Sequence, residues 1–260
     1  MRAIMFQVFG GGYGLAVEAL RLIWQERRGV LRLLVPIFAL SLLLRLTGRM
    51  FLGPVQDIEF TFAWALFALG EVALYLLMAV LWHRLVLLPG AVWPPLAHLA
   101  RYLGWFIAVL LALLPVMLLA SVAGYWSFSL GIDGALAALY LMQGAYGLAL
   151  GFLALRLGLV LPAAAVGGQE TGLRWSWRKT APLAAPLFGY ALGELCLYTL
   201  LVAAEGALAL QNWRVGLFFG AGVAAFFALL RLAVLSLLYR RLAGPEGFGA
   251  VHPTQISRPD

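Results

Sequence analysis

The chain has 260 residues, 64% of them hydrophobic, with only 18 Lys+Arg and 11 Asp+Glu. At a mean hydropathy of +0.96 it has too little charge to solvate a globular surface, which excludes a soluble enzyme, a secreted disulfide scaffold and a disordered chain. The net charge of +7 then poses a question of sidedness in a membrane and does not point to nucleic acid.

The start, MRAIMFQVFGGGYG, carries an apolar stretch too short and Gly-rich for a signal peptide, so the N-terminus is expected to be retained. GGGYG at 10–14 lacks the Lys of a phosphate loop and reads as a flexible entry. Over residues 15–28, Glu18, Arg21, Gln25 and Arg28 share one sector, with Leu15, Ala19, Leu22 and Trp24 around the rest. This predicts an N-terminal interfacial helix within residues 1–29.

Six apolar runs follow, each long enough to cross a bilayer: Val30 to Gly48, Phe60 to Leu88, Tyr102 to Ala123, Gly134 to Pro162, Pro182 to Ala204 and Val215 to Tyr239. The breaks between them carry loop chemistry: Gly53-Pro54 with Asp57 and Glu59, Pro89-Gly90, Gly131 to Gly134, Gly167-Gly168, and Gln211-Asn212. The expected fold is therefore all-α and polytopic, a six-helix bundle over 30–239 with a polar tail over 240–260. Arg2, Arg21, Arg27, Arg28, Arg32, Arg84, Arg101, Arg156, Arg174, Arg178, Lys179, Arg240, Arg241 and Arg258 fall on one side. Arg45, Arg49 and Arg214 fall on the other. The positive-inside rule then puts both termini in the cytoplasm.

The even-numbered spans end alike, in LWHRLVLLPG, LALRLGLVLPA and ALLRLAVLSLL, with Arg84, Arg156 and Arg231 at nearly equal spacing. Three parallel helical-hairpin repeats account for this, unlike the inverted repeats of many transporters. Each repeated Arg reads as snorkelling to lipid phosphates; as a set they would bind an anionic headgroup or a partner. The segment TGLRWSWRK joins Trp175 and Trp177 to Arg174, Arg178 and Lys179, the mix found where rings sit at headgroup depth beside anionic lipid.

The stretch RLGLVLPAAAVG, the pattern of Thr171, Leu173, Arg174, Trp177, Arg178 and Thr180, and WHRLVLL in the second span resemble a group of uncharacterised bacterial six-helix inner-membrane proteins. They are similar to YciC-like proteins and to the membrane domain attached to some glycerophosphodiester phosphodiesterases. The resemblance implies a fold and an inner-membrane address. The catalytic phosphodiesterase domain is absent, so that activity does not carry over.

Phosphate-loop, HExxH and GxSxG signatures are missing. The lone Cys196 excludes an intrachain disulfide, and His83, His98 and His252 read as non-ligands, so no cofactor or metal is expected. Gly147/Gly151, Gly189/Gly193 and Gly216/Gly220 mark faces where helices approach closely, within the bundle or in a homo-oligomer or partner complex. Charges at depth are Glu71, Glu194 and Arg45, each about 18 Å in when counted from the cytoplasmic ends. They form either a structural bridge or a proton, cation or anionic-ligand site. The expected function is a non-enzymatic accessory or scaffold protein, a subunit of a membrane complex or a contributor to envelope and lipid homeostasis. The alternative is a small transporter or channel using the Glu71/Glu194/Arg45 layer.

Overall fold

Residues 8, 10–52, 62–88, 90, 93–128, 132–168 and 172–243 are described by the structure, a computed structural model. The expected break at 53–59, Gly131 and the residues from 244 on, with His252, lie outside the described residues, as do the side chains of Arg45 and Arg49. Among the described residues all regular structure is helical. Among the described residues the α-helices of seven residues or more are, in chain order, α1 (Gly11–Gln25), α2 (Val35–Leu52), α3 (Phe62–Leu87), α4 (Leu96–Phe128), α5 (Ile132–Leu157), α6 (Val160–Val166), α7 (Leu173–Lys179), α8 (Ala184–Gln211) and α9 (Trp213–Leu242).

Four stretches are long and apolar enough to cross a membrane: Ala65–Leu87, Leu96–Leu119, Ala181–Gln211 and Trp213–Leu242. The bent pair Gly144–Leu157 plus Val160–Val166 makes a fifth if it is one span. The chain is therefore a multi-pass membrane protein. These helices fall on the second to sixth expected crossings. Over the first, a π-helical turn at Val30–Leu34 leads into α2.

In the bundle α3 packs on α9, α9 on α8, α8 on α5, and α5 on α4, while α2 lies outside against α3. The core is concentrated at the end that carries α6 and α7, where Trp82, Tyr102, Leu159, Leu187, Leu238 and Tyr239 are buried. We call this the basic end. Toward the far end large apolar side chains such as Leu111, Leu119, Leu200 and Leu210 are exposed, the surface that hydrocarbon covers.

The fourth crossing is not the continuous helix expected over Gly134 to Pro162. It bends by 40° at Gly158-Leu159, and α6 turns back into the bundle with all seven residues buried against α3, α4 and α9. A β-carbon on Gly158 would stand 2.5 Å from the Ala154 carbonyl oxygen and 3.2 Å from the Leu235 side chain, so glycine permits the turn. Gly167 ends α6 at φ +78°, with its own N–H and that of Gly168 donating to the Ala164 and Ala163 carbonyls.

The N-terminal helix is docked on the bundle as well as amphipathic. Leu15, Ala19 and Leu22, spaced at helical period, are buried against α8 and α9. Glu18 pairs with Arg241 near the end of α9. Gly12 lies so near α8 that a β-carbon would meet the Tyr190 backbone nitrogen at 2.5 Å. Tyr13, Leu20 and Trp24 face outward. Glycine also brings α8 and α9 together, because a β-carbon on Gly216 would fall 2.6 Å from that of Ala209.

Candidate functional site

Bending a helix frees backbone groups, and the basic end is built around satisfying them. The Ser176 hydroxyl of α7 donates to the Arg156 carbonyl at 2.7 Å and accepts from the Leu159 N–H at 3.2 Å, so one buried side chain replaces two lost helical bonds. Thr180 sits one turn further along, with Arg156 O, Ser176 O and Trp177 O all within reach of its Oγ1. The Arg156 guanidinium completes the joint. Its Nε donates to Thr180 Oγ1 at 3.0 Å and its Nη2 to Trp177 O at 2.8 Å, while the charge lies 3.9 Å from the centre of the Trp177 ring.

Arg84 performs a second closure. Its Nη1 donates to the Ala165 carbonyl at 2.9 Å, at the C-terminal end of α6, where the helix dipole favours a cation. The same nitrogen lies 3.1 Å from His98 Nδ1. Beside it His83 is fully buried, with Nδ1 2.8 Å from Ser236 Oγ. The Ser236 hydroxyl hydrogen is used on Leu232 O at 3.0 Å, so His83 Nδ1 is the donor.

The third repeated arginine lies at depth. Arg231 Nε donates to Glu194 Oε1 at 2.6 Å, joining α9 to α8. Counted from the basic end of each helix, both groups sit about 15 Å in, near the middle of a hydrocarbon core of about 30 Å. Tyr190 stands one turn before Glu194 on α8, and Tyr75 of α3 lines a cavity together with Ala228, one turn before Arg231 on α9.

Arg84 and Arg156, expected to snorkel to phosphates, thus turn into protein, and Arg231, half exposed, engages the Glu194 carboxylate. A carbonyl or carboxylate fixed by packing competes with a mobile phosphate without the side chain leaving the bundle. Of the expected mid-depth layer, Glu194 is met by Arg231. Glu71 lines a cavity of about 220 Å³ between α2, α3 and α9, with Ser41, Tyr75 and Met78, while the Arg45 side chain is outside the described residues. In the Trp-rich segment Arg174, Trp177, Arg178 and Lys179 are exposed, and the half-buried Trp175 meets Tyr239 edge-on at 6.5 Å. Arg27, stacked 5.2 Å from the Trp24 ring, and Arg21, Arg28, Arg32 and Arg240 extend this exposed basic surface.

Sequence reasoning missed Ser176, Ser236, Tyr75 and Tyr190. Hydroxyls in apolar helices are costly unless partnered, which was the available signal. Among the described residues no three His, Cys, Asp or Glu side chains converge as metal ligands would. The chain matches no family model, no curated protein and no solved structure.

Proposed function

We propose that this is a non-catalytic, six-span accessory or scaffold protein of a bacterial inner membrane, with both termini in the cytoplasm and a basic end that docks on anionic lipid. One observation carries the reading: Arg84 and Arg156 are used up inside as ties across the bent helix, while Arg174, Arg178, Lys179, Arg28 and Arg32 stay exposed beside Trp24 and Trp177. A bundle braced at this end and rimmed with cations and indoles is suited to holding a fixed position on a charged leaflet and presenting a rigid surface to a membrane partner. The resemblance to six-helix inner-membrane proteins supports the same address.

Native mass spectrometry of the detergent-released protein tests it, with wild type compared to an Arg174→Gln, Arg178→Gln, Lys179→Gln variant. The variant is expected to retain less phosphatidylglycerol, with the difference shrinking as salt rises. Equal retention would refute the lipid-docking part. Purification from the native membrane tests the scaffold part, where a stable co-purifying protein is expected and a lone monomer that carries solute flux in liposomes would count against it.

A further inference from the structure

We propose that Arg231, Tyr190 and Tyr75 form an intramembrane site for an oxyanion, the carboxylate or phosphate of a ligand that reaches the middle of the bundle. The proposal stands apart from lipid docking at the basic end. Arg231 spends only its Nε on Glu194, and among the described residues Nη1 and Nη2 have no acceptor, although the side chain is half exposed at mid-depth. Hydrocarbon offers guanidinium N–H groups nothing to bond, so an arginine exposed to it there would be left unsatisfied.

Arg231 does not face the lipid side of its helix. At about 100° per residue it shares a sector with buried Leu238, about 20° away, with buried Phe227 and Leu235, about 40° away, and with exposed Ala224, which lines the cavity beside α3. That turns it inward, between α3 and α8. Tyr190 is 3% exposed there, and among the described residues its hydroxyl has no hydrogen-bond partner.

The chemistry left over favours an acceptor. Glu194 and Arg231 neutralise each other, and what remains is the pair of Nη groups with two phenolic O–H groups, a donor set that complements an oxyanion. Tyr75 also lines the neighbouring cavity of about 220 Å³, as does Ala228 one turn before Arg231, with Phe38, Leu42, Leu74 and Met78. Ser41 and Glu71 line the cavity too, and its predominantly apolar remainder fits the tail of an amphiphilic anion whose head rests on Arg231.

Binding of radiolabelled decanoate and of inorganic phosphate to the purified full-length protein in neutral detergent tests this. Saturable binding of at least one probe is expected: decanoate alone identifies a membrane-borne amphiphile, and phosphate alone or in competition identifies a free anion. Because Arg231→Gln by itself strands a buried carboxylate, the informative variants are the uncharged pair Arg231→Gln with Glu194→Gln, and Tyr190→Phe, which leaves the ion pair intact. The double variant is expected to bind at least ten-fold more weakly and Tyr190→Phe a few-fold more weakly. Glu194→Gln alone is expected to tighten binding by removing the competing acceptor, which a purely structural role would not do. Wild type that binds neither probe, or a folded double variant that binds as wild type does, would overturn the proposal.

Discussion

Replacing Ser176 by alanine removes one oxygen from the bend between α5 and α6. In the native chain that hydroxyl serves the Arg156 carbonyl at 2.7 Å and the Leu159 N–H at 3.2 Å. Both groups lost their helical partners when the chain turned at Gly158, and Ser176 is fully buried, so water does not replace it. Leaving a buried backbone donor or acceptor unsatisfied costs about 1–3 kcal/mol each. The carbonyl keeps a longer contact with Thr180 Oγ1 at 3.3 Å, which softens its share, and a loss of about 2–4 kcal/mol is expected overall. Interhelical side-chain bonds inside membranes average only about 0.6 kcal/mol. The two effects separate here because the unbent helix would bond both backbone groups by itself, whereas the bent one depends on Ser176. The assay is reversible unfolding in mixed micelles, followed by far-UV circular dichroism as the denaturing detergent fraction rises. Adding Thr180→Val should enlarge the loss by stripping the second contact from the same carbonyl. A loss below about 0.5 kcal/mol for Ser176→Ala would refute the idea that this hydroxyl holds the bend, and would class it with ordinary interhelical bonds.

Gly216→Leu forces a side chain into α8 where a β-carbon would already stand 2.6 Å from that of Ala209, and is expected to lower stability in the same unfolding assay by about 1–3 kcal/mol. Arg84→Leu should release the end of α6 and speed protease cleavage after Gly167 in detergent; Arg84→Lys should restore part of the protection, since an ammonium still favours the helix C-terminus. Reporter fusions after Gly90 and Gly168 are expected to read cytoplasmic, and those after Gly53, Ile132 and Asn212 the opposite compartment. A reversed signal at any one of them would remove a span from the count.

The sequence alone determined the class and most of the helices, because long apolar runs broken by Gly, Pro and Asn are a local property that needs no tertiary partner. The surface cations around Arg174 and Arg178 were legible for the same reason. The bend at Gly158 was not, since RLGLVLPA reads as uninterrupted apolar helix and the hydroxyl that makes the break tolerable arrives 20 residues after Arg156, on another element. Nor was the inward turn of Arg84 and Arg156. Along one dimension the nearest partner for an arginine at the end of an apolar run is a lipid phosphate, and only packing delivers the Ala165 and Trp177 carbonyls. The Glu194–Arg231 pair is the intermediate case. Counting residues places Glu194 at mid-depth with Arg45, while the repeat pattern assigns Arg231 to lipid phosphates with Arg84 and Arg156; only the packing of α8 on α9 pairs Arg231 with Glu194. The one-residue link at Asn212 makes α8 and α9 neighbours, but which faces meet, and so whether Arg231 reaches Glu194, is decided by how surfaces lined with Gly216 and Ala209 close against each other, a matter of shape that hydropathy does not encode.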